Sequence, residues 1–161
     1  MGIAPYIRRL RESVGHELLL LPAVAVLPRD EQGRLLLMRS IDTGQWQTIG
    51  GAIEPDESPE HAALREAAEE AGIELRLGNI LAVLGGPQYR WTYPNGDEVA
   101  YVSAVFDATV VGGTVRADGD EASAVEWLIP AVGRQLTTGP LPPPKPAPAR
   151  DQVTVLLAIA R

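Results

Sequence analysis

Apolar positions along the chain recur at two different periods, and each change of period marks an element. Ile7, Leu10 and Val14 fall at helical spacing, so Tyr6 to Val14 is expected to form a short amphipathic helix. Leu18 to Leu27 is almost continuously apolar and reads as a strand. The turn Arg29-Asp30-Glu31-Gln32-Gly33 follows it, and Arg34 to Arg39 reads as the returning strand of a hairpin. A shorter strand is expected around Trp46 to Ile49, ending at Gly50-Gly51.

The strongest helix signal spans Pro59 to Ala71. Ser58 is a good N-cap, Pro59 suits the first helical position because its missing N–H has no partner there, and Gly72 is a stop. Leu75 to Leu84, Tyr89 to Tyr93, Val99 to Val110 and Ala124 to Ile129 are strand-like, and Asn95-Gly96 between two of them is a hairpin signal. This order suggests an α/β (α+β) fold, a mixed sheet with helices on its faces. Residues 1–139 read as one domain. Residues 140–149, rich in proline, read as a stiff connector. Residues 150–161 read as an apolar segment packed on the same domain or on a partner subunit.

Composition narrows the function. The chain has 161 residues, 45% of them hydrophobic, which is enough for one packed core. It has no cysteine, which excludes disulfides, thiolate zinc sites and cysteine nucleophiles and fits a reducing cytoplasm. Its net charge of −7 disfavours duplex nucleic acid, though a small phosphorylated substrate is compatible if a divalent cation bridges the two. The apolar run Leu18 to Leu21 is too short to span a bilayer and lacks a signal-peptide arrangement, so a soluble, cytoplasmic protein is expected, with no membrane partner.

Glu66, Glu69 and Glu70 stand at i, i+3 and i+4, placing three carboxylates on one face of the proposed helix. Like charges at that spacing repel, and a hard divalent cation with oxygen ligands removes the conflict. In isolation, an Arg-Glu-x-x-Glu-Glu string reads as a solvated helix face. The flanking residues change that reading. Gly51 to Ile73 resembles the Nudix box, matching all seven fixed positions: Gly51, Glu57, Arg65, Glu66, Glu69, Glu70 and Gly72. Thr48-Ile49-Gly50-Gly51 departs from the usual Leu-Pro-Gly-Gly, a change that removes no ligand.

The resemblance implies a Nudix-like mixed sheet sandwiched between helices and Mg²⁺-dependent (or Mn²⁺-dependent) hydrolysis of a nucleoside diphosphate linked to another group. Glu66, Glu69, Glu70 and the Gly50 carbonyl would hold the metal. Arg65 would orient a neighbouring glutamate or form an ordinary helix ion pair. Glu57 would partner Arg65, support the metal site or favour the helix N-terminus. Glu66 or Glu121, the latter in the acidic loop Asp118 to Glu121, would be the general base, with Gly51 and Gly72 in supporting roles. For substrate binding, Tyr89, Trp91 and Tyr93 alternate and would share one side of a strand, where they could stack a base or pack in the core. Arg39 could bind phosphate or form a surface ion pair. His16 and His61 are distant and lack cysteine neighbours, which argues against zinc. A Nudix-fold regulator that binds nucleotide without cleaving it is the competing reading, and homodimerisation through the terminal extensions is a further expectation.

Overall fold

The computed structural model describes residues 5–93 and 95–129. The proline run and the apolar segment after it lie outside the described residues, so the expected division at 139 and 149 is not addressed there. The elements are α1 (Pro5–Val14), β1 (Leu19–Pro28), β2 (Leu35–Ser40), β3 (Trp46–Gln47), α2 (Pro59–Ala71), β4 (Ile73–Leu84), a 3-10 turn (Pro87–Tyr89), β5 (Arg90–Thr92), β6 (Glu98–Gly113) and β7 (Ala122–Leu128). The α+β class is as expected. The strands form two sheets, one ordered β1-β6-β4 with β5 also on β6, the other ordered β3-β2-β7.

The expected hairpin between the first two strands shrinks to a single bridge, Arg29–Leu35. Both edges of β1 are already taken. On one side it runs parallel to β6 from Leu19–Val99 to Pro28–Ala108. On the other, the N–H groups of Val24 and Val26 donate to the carbonyls of Gly51 and Ile49 at 2.9 Å each. β2 therefore leaves for the second sheet, where it pairs with β3 and β7. Asp30 holds the turn, accepting the Gln32 and Arg34 N–H groups at 3.0 and 2.8 Å.

The apolar runs of β1 and β2 have the same cause. Val24 and Val26 enter one core cluster, with Leu36, Met38, Ile49 and the alanines of α2, while Ala25 and Leu27 enter another, with Leu35, Leu37 and Val105. A strand covered on both faces shows no polar alternation. Among the described residues, no helix is long and apolar enough to cross a membrane.

The box helix forms as its caps dictate. Ser58 Oγ accepts the His61 N–H at 3.2 Å, and Gly72 adopts φ 67° while its N–H reaches the Ala67 and Ala68 carbonyls. A Cβ at Gly72 would lie 2.8 Å from the Thr114 carbonyl, so the helix stop also admits the chain leaving β6. The left-handed turn feeds β4 two residues earlier than the apolar pattern suggests. Ala62, Ala63, Ala67 and Ala71 are fully buried, and their small side chains bring α2 close to β4 and β1.

Candidate active site

Glu66 and Glu70 lie at i+3 and i+7 from Ala63, on the stripe of α2 that faces the core. Glu70 is only 3% exposed. Its Oε2 accepts the Gly50 N–H at 2.9 Å. Burial, reinforced by repulsion from Glu66, Glu121 and Asp118, pushes its pKa up to about 9 despite that hydrogen bond. Burial also raises Glu66, against the pull of Arg65. Glu69, by contrast, has a largely exposed side chain.

Arg65 organises the remaining carboxylates. Its Nε and Nη2 grip Glu57 in a two-bond fork at 2.9 and 3.0 Å, Nη1 reaches Glu66 at 2.8 Å and Glu69 at 3.2 Å, and Nη2 also donates to the Ala52 carbonyl at 3.1 Å. This fork holds Glu57 below the usual carboxylate range. Glu57 also accepts the Glu54 N–H, closing the turn before the helix. One guanidinium thus ties the glycine loop, the turn and three glutamates together.

The glycine loop is shaped by close approach. Gly50 adopts φ 149°, and a Cβ there would overlap the Val24 carbonyl and lie 2.8 Å from Ala25 Cα. A Cβ on Gly51 would strike the Glu66 carboxylate. The structure shows Gly50 engaged through its N–H, which donates to Glu70 Oε2.

Glu121 arrives from the loop before β7. Asp118 Oδ1 accepts three N–H groups, from Asp120, Glu121 and Ala122, at 2.9 to 3.1 Å. Burial would raise Asp118, but those bonds outweigh it and hold its pKa down. The Glu121 carbonyl accepts the Ile41 N–H, joining the loop to the end of β2. The Glu121 side chain lies within hydrogen-bonding reach of Glu70, and burial followed by repulsion from Asp118 raises its proton affinity.

Several of these groups line one cleft of about 560 Å³. Glu66, Glu69, Arg65, Gly50, Gly51 and Glu121 face one part of it. Of the expected substrate-binding residues, Tyr93 lines the cleft, and its hydroxyl is 3.0 Å from that of Tyr101. Tyr89 does not share a strand face with it. Gly86, at φ 111°, and Pro87 start a 3-10 turn that ends at Tyr89 and buries its ring, so the alternation begins only at Trp91. Trp91 packs edge-on against Tyr93 and is not among the lining residues. Arg39 points its Nε at the Gly44 carbonyl and also lies off the cleft. Tyr101, Asp97 and Arg11 line the cleft without a local sequence signal, because strand register and a contact across more than eighty residues bring them there, and Asn95 joins them from the hairpin turn.

Among the described residues, no three acidic or histidine side chains converge as a set that could hold a metal ion. Glu66 and Glu69 turn to Arg65, and Glu70 turns to the Gly50 N–H, as mutually repelling carboxylates do when these are the available donors. The donor set nonetheless suits a hard cation. Glu66, Glu70 and Glu121 are all raised by burial, with repulsion adding from Glu69 and Glu121 on Glu66, from Glu66, Glu121 and Asp118 on Glu70, and from Asp118 on Glu121, while Arg65 supplies one positive charge beside Glu66.

An α+β body with two sheets, whose glycine loop and capped acidic helix open onto one cleft, defines the class of domain. The comparisons name it. The NUDIX domain matches residues 19–146, and the chain belongs to that family. It is 37% identical over 100 residues to a MutT-like protein of Streptomyces ambofaciens, covering 62% of this chain and 58% of that one. It is 40% identical over 65 residues to an RNA pyrophosphohydrolase of Pseudomonas fluorescens, covering 40% and 41%. The matches thus span about half the length of these relatives. The fold is similar to the crystal structure of a MutT NUDIX hydrolase from Burkholderia pseudomallei, with a TM-score of 0.64, 24% identity, and coverage of 87% of this chain and 97% of that one.

Proposed function

We propose that this chain hydrolyses a nucleoside diphosphate joined to a second group, with Mg²⁺ or Mn²⁺ bound by Glu66, Glu69, Glu70 and the Gly50 carbonyl. The observation that carries this reading is the placement of Glu66 and Glu70 on the buried stripe of α2, opposite Glu121. A core position has no structural use for a carboxylate, and grouping three of them is unfavourable without a cation. When bound, the cation would neutralise charge developing on the diphosphate and lower the pKa of a water ligand.

The protein's own groups do the rest. Arg65 holds Glu66 and Glu69 from one side while anchoring to Glu57 and Ala52. Gly51 leaves room for the Glu66 carboxylate. Glu121 accepts a proton from the attacking water: its raised proton affinity makes it a better base near neutral pH than an ordinary glutamate. Glu66, engaged by Arg65, is the base if Glu121 proves dispensable. The net charge of −7 favours small nucleotides over RNA ends. The absence of cysteine supports a cytoplasmic setting, and homodimerisation is open to measurement by sedimentation.

The deciding experiment offers nucleotide sugars, ADP-ribose and nucleoside triphosphates with Mg²⁺ or Mn²⁺, and measures phosphate after a phosphatase step. Turnover that disappears with EDTA supports the reading. Binding without turnover on every compound would replace it with that of a nucleotide-binding regulator.

A further inference from the structure

Glu121 enters the cleft from a loop and must hold its carboxylate beside two others, Glu66 and Glu70, both of which it repels. On an untethered loop it would relieve that repulsion by swinging out to water. Its place in the cleft therefore depends on the backbone beneath it.

That backbone is held from both sides. The Glu121 N–H donates to Asp118 Oδ1 at 3.1 Å, and the Glu121 carbonyl accepts the Ile41 N–H at 2.9 Å. The same Oδ1 takes the Asp120 N–H at 3.0 Å and the Ala122 N–H at 2.9 Å. One carboxylate oxygen thus gathers three successive amides, and hydrogen bonds to an ionised acceptor are about twice as strong as neutral ones. Gly119 lets the chain close this short arc at φ 80°, with its own N–H on the Ala122 carbonyl at 3.2 Å. Immediately beyond the arc the chain is anchored to β2. Ala122 is fully buried opposite Ser40, and Ser123 Oγ donates to the Arg39 carbonyl at 3.0 Å.

Asp118 is not among the residues that line the cleft. Its charge works against the site, because it repels both Glu70 and Glu121. The arc it closes accounts for an aspartate in so unfavourable a place.

We propose that Asp118 is a positioning residue for Glu121: by collecting the amides of residues 120 to 122 on one oxygen, it fixes the backbone from which the Glu121 carboxylate is presented to the cleft. The effects on rate rest on the reading of Glu121 as the base in hydrolysis. The effects on the loop do not.

The test pairs amide hydrogen exchange with a double-mutant cycle, both on the full chain. In the metal-free protein, Asp118→Ala should speed exchange at the amides of Asp120, Glu121, Ala122 and Ile41 by about ten-fold or more, the scale of one lost bond to a charged acceptor, while the amides of α2 stay as protected as in wild type. With Mg²⁺ and the compound that wild type turns over best, the same substitution should lower kcat by about 10²-fold and leave KM little changed. In a Glu121→Gln background it should change kcat by less than about two-fold, because a residue that acts only through Glu121 has nothing left to act on. Asp118→Asn keeps the accepting oxygen and should retain most of the protection and the rate. Asp118→Glu, which moves that oxygen by one methylene, carries the test if the alanine variant fails to fold. Unchanged exchange in the loop, or a full further loss of rate in the Glu121→Gln background, would overturn the positioning role. Loosened loop amides in a protein whose wild type hydrolyses no compound would leave that role standing and remove the hydrolase. Hydrolysis with unchanged exchange would do the reverse.

Discussion

Replacing Glu70 with glutamine tests the electrostatics of the site apart from its chemistry. Glutamine keeps nearly the same shape and can still accept the Gly50 N–H. It cannot ionise. With its pKa pushed to about 9 from an ordinary 4.5, Glu70 is protonated in the folded, metal-free protein at neutral pH and ionised in the unfolded chain. The folded state thus binds the extra proton, so this contribution to stability is complete below the unfolded pKa and is lost as pH rises through the folded one. At pH 7 the loss is about 2.5 units times 1.36 kcal/mol, or about 3 kcal/mol. For a chain of this size that corresponds to roughly 6 to 12 °C in Tm. In EDTA, Glu70→Gln and wild type should therefore melt together near pH 4.5, and the variant should gain on wild type steadily toward pH 9. Added Mg²⁺ should raise the wild-type Tm most at the alkaline end and leave the variant unmoved, while the variant's Mg²⁺-dependent turnover should fall by orders of magnitude. Thermal melts at a series of pH values with and without Mg²⁺ measure all of this. A difference between the two proteins that does not change with pH would refute the assignment of a neutral buried Glu70.

Gly51→Ala places a methyl group against the Glu66 carboxylate and should cut kcat by about 10²-fold, as small displacements in active sites do, while circular dichroism stays native. Glu121→Gln should lower kcat by about 10²-fold with little change in KM, and a wild-type rate would return the base role to Glu66. Arg65→Ala removes the partner of three carboxylates and should destabilise the protein by about 2 kcal/mol in chemical denaturation, below the range for a fully buried pair because the guanidinium keeps some exposure.

The parts of this molecule that were legible in the sequence are those determined by neighbours along the chain. Ser58, Pro59 and Gly72 bound α2 to the residue, since caps act within one turn. Asn95-Gly96 marks the β5–β6 hairpin for the same reason, with Gly96 at φ 91°. The carboxylate face of α2 was legible because helical spacing alone brings Glu66, Glu69 and Glu70 together. The sheets were not. The apolar run of β1 shows that it is buried on both faces, but not that β6 and the glycine loop occupy both its edges, and so the hairpin with β2 was expected and is absent. Tyr89 misled because a strand alternation in sequence cannot reveal a 3-10 turn begun by Gly86 and Pro87. Arg11 and Asp97 carried no signal, since their meeting depends on where α1 folds back over the hairpin.

That division follows from how α2 is built. Its stability comes from two local caps and a stripe of buried alanines, none of which touches a substrate. The same stripe then admits Glu66 and Glu70, whose burial works against folding, and Arg65 offsets part of that repulsion by bridging to Glu57, Glu66 and Glu69. Glu70 and Glu121 lie beyond its reach, and burial raises their proton affinities as it does that of Glu66. The sign of that rise matters: whatever relieves it must be positive, must accept oxygen ligands, and must enter from the cleft. A second basic side chain would relieve it permanently and leave nothing for a phosphate to bind. A divalent cation relieves it while keeping coordination positions for substrate, which is why the unfavourable arrangement on the core stripe is the most informative feature of the fold.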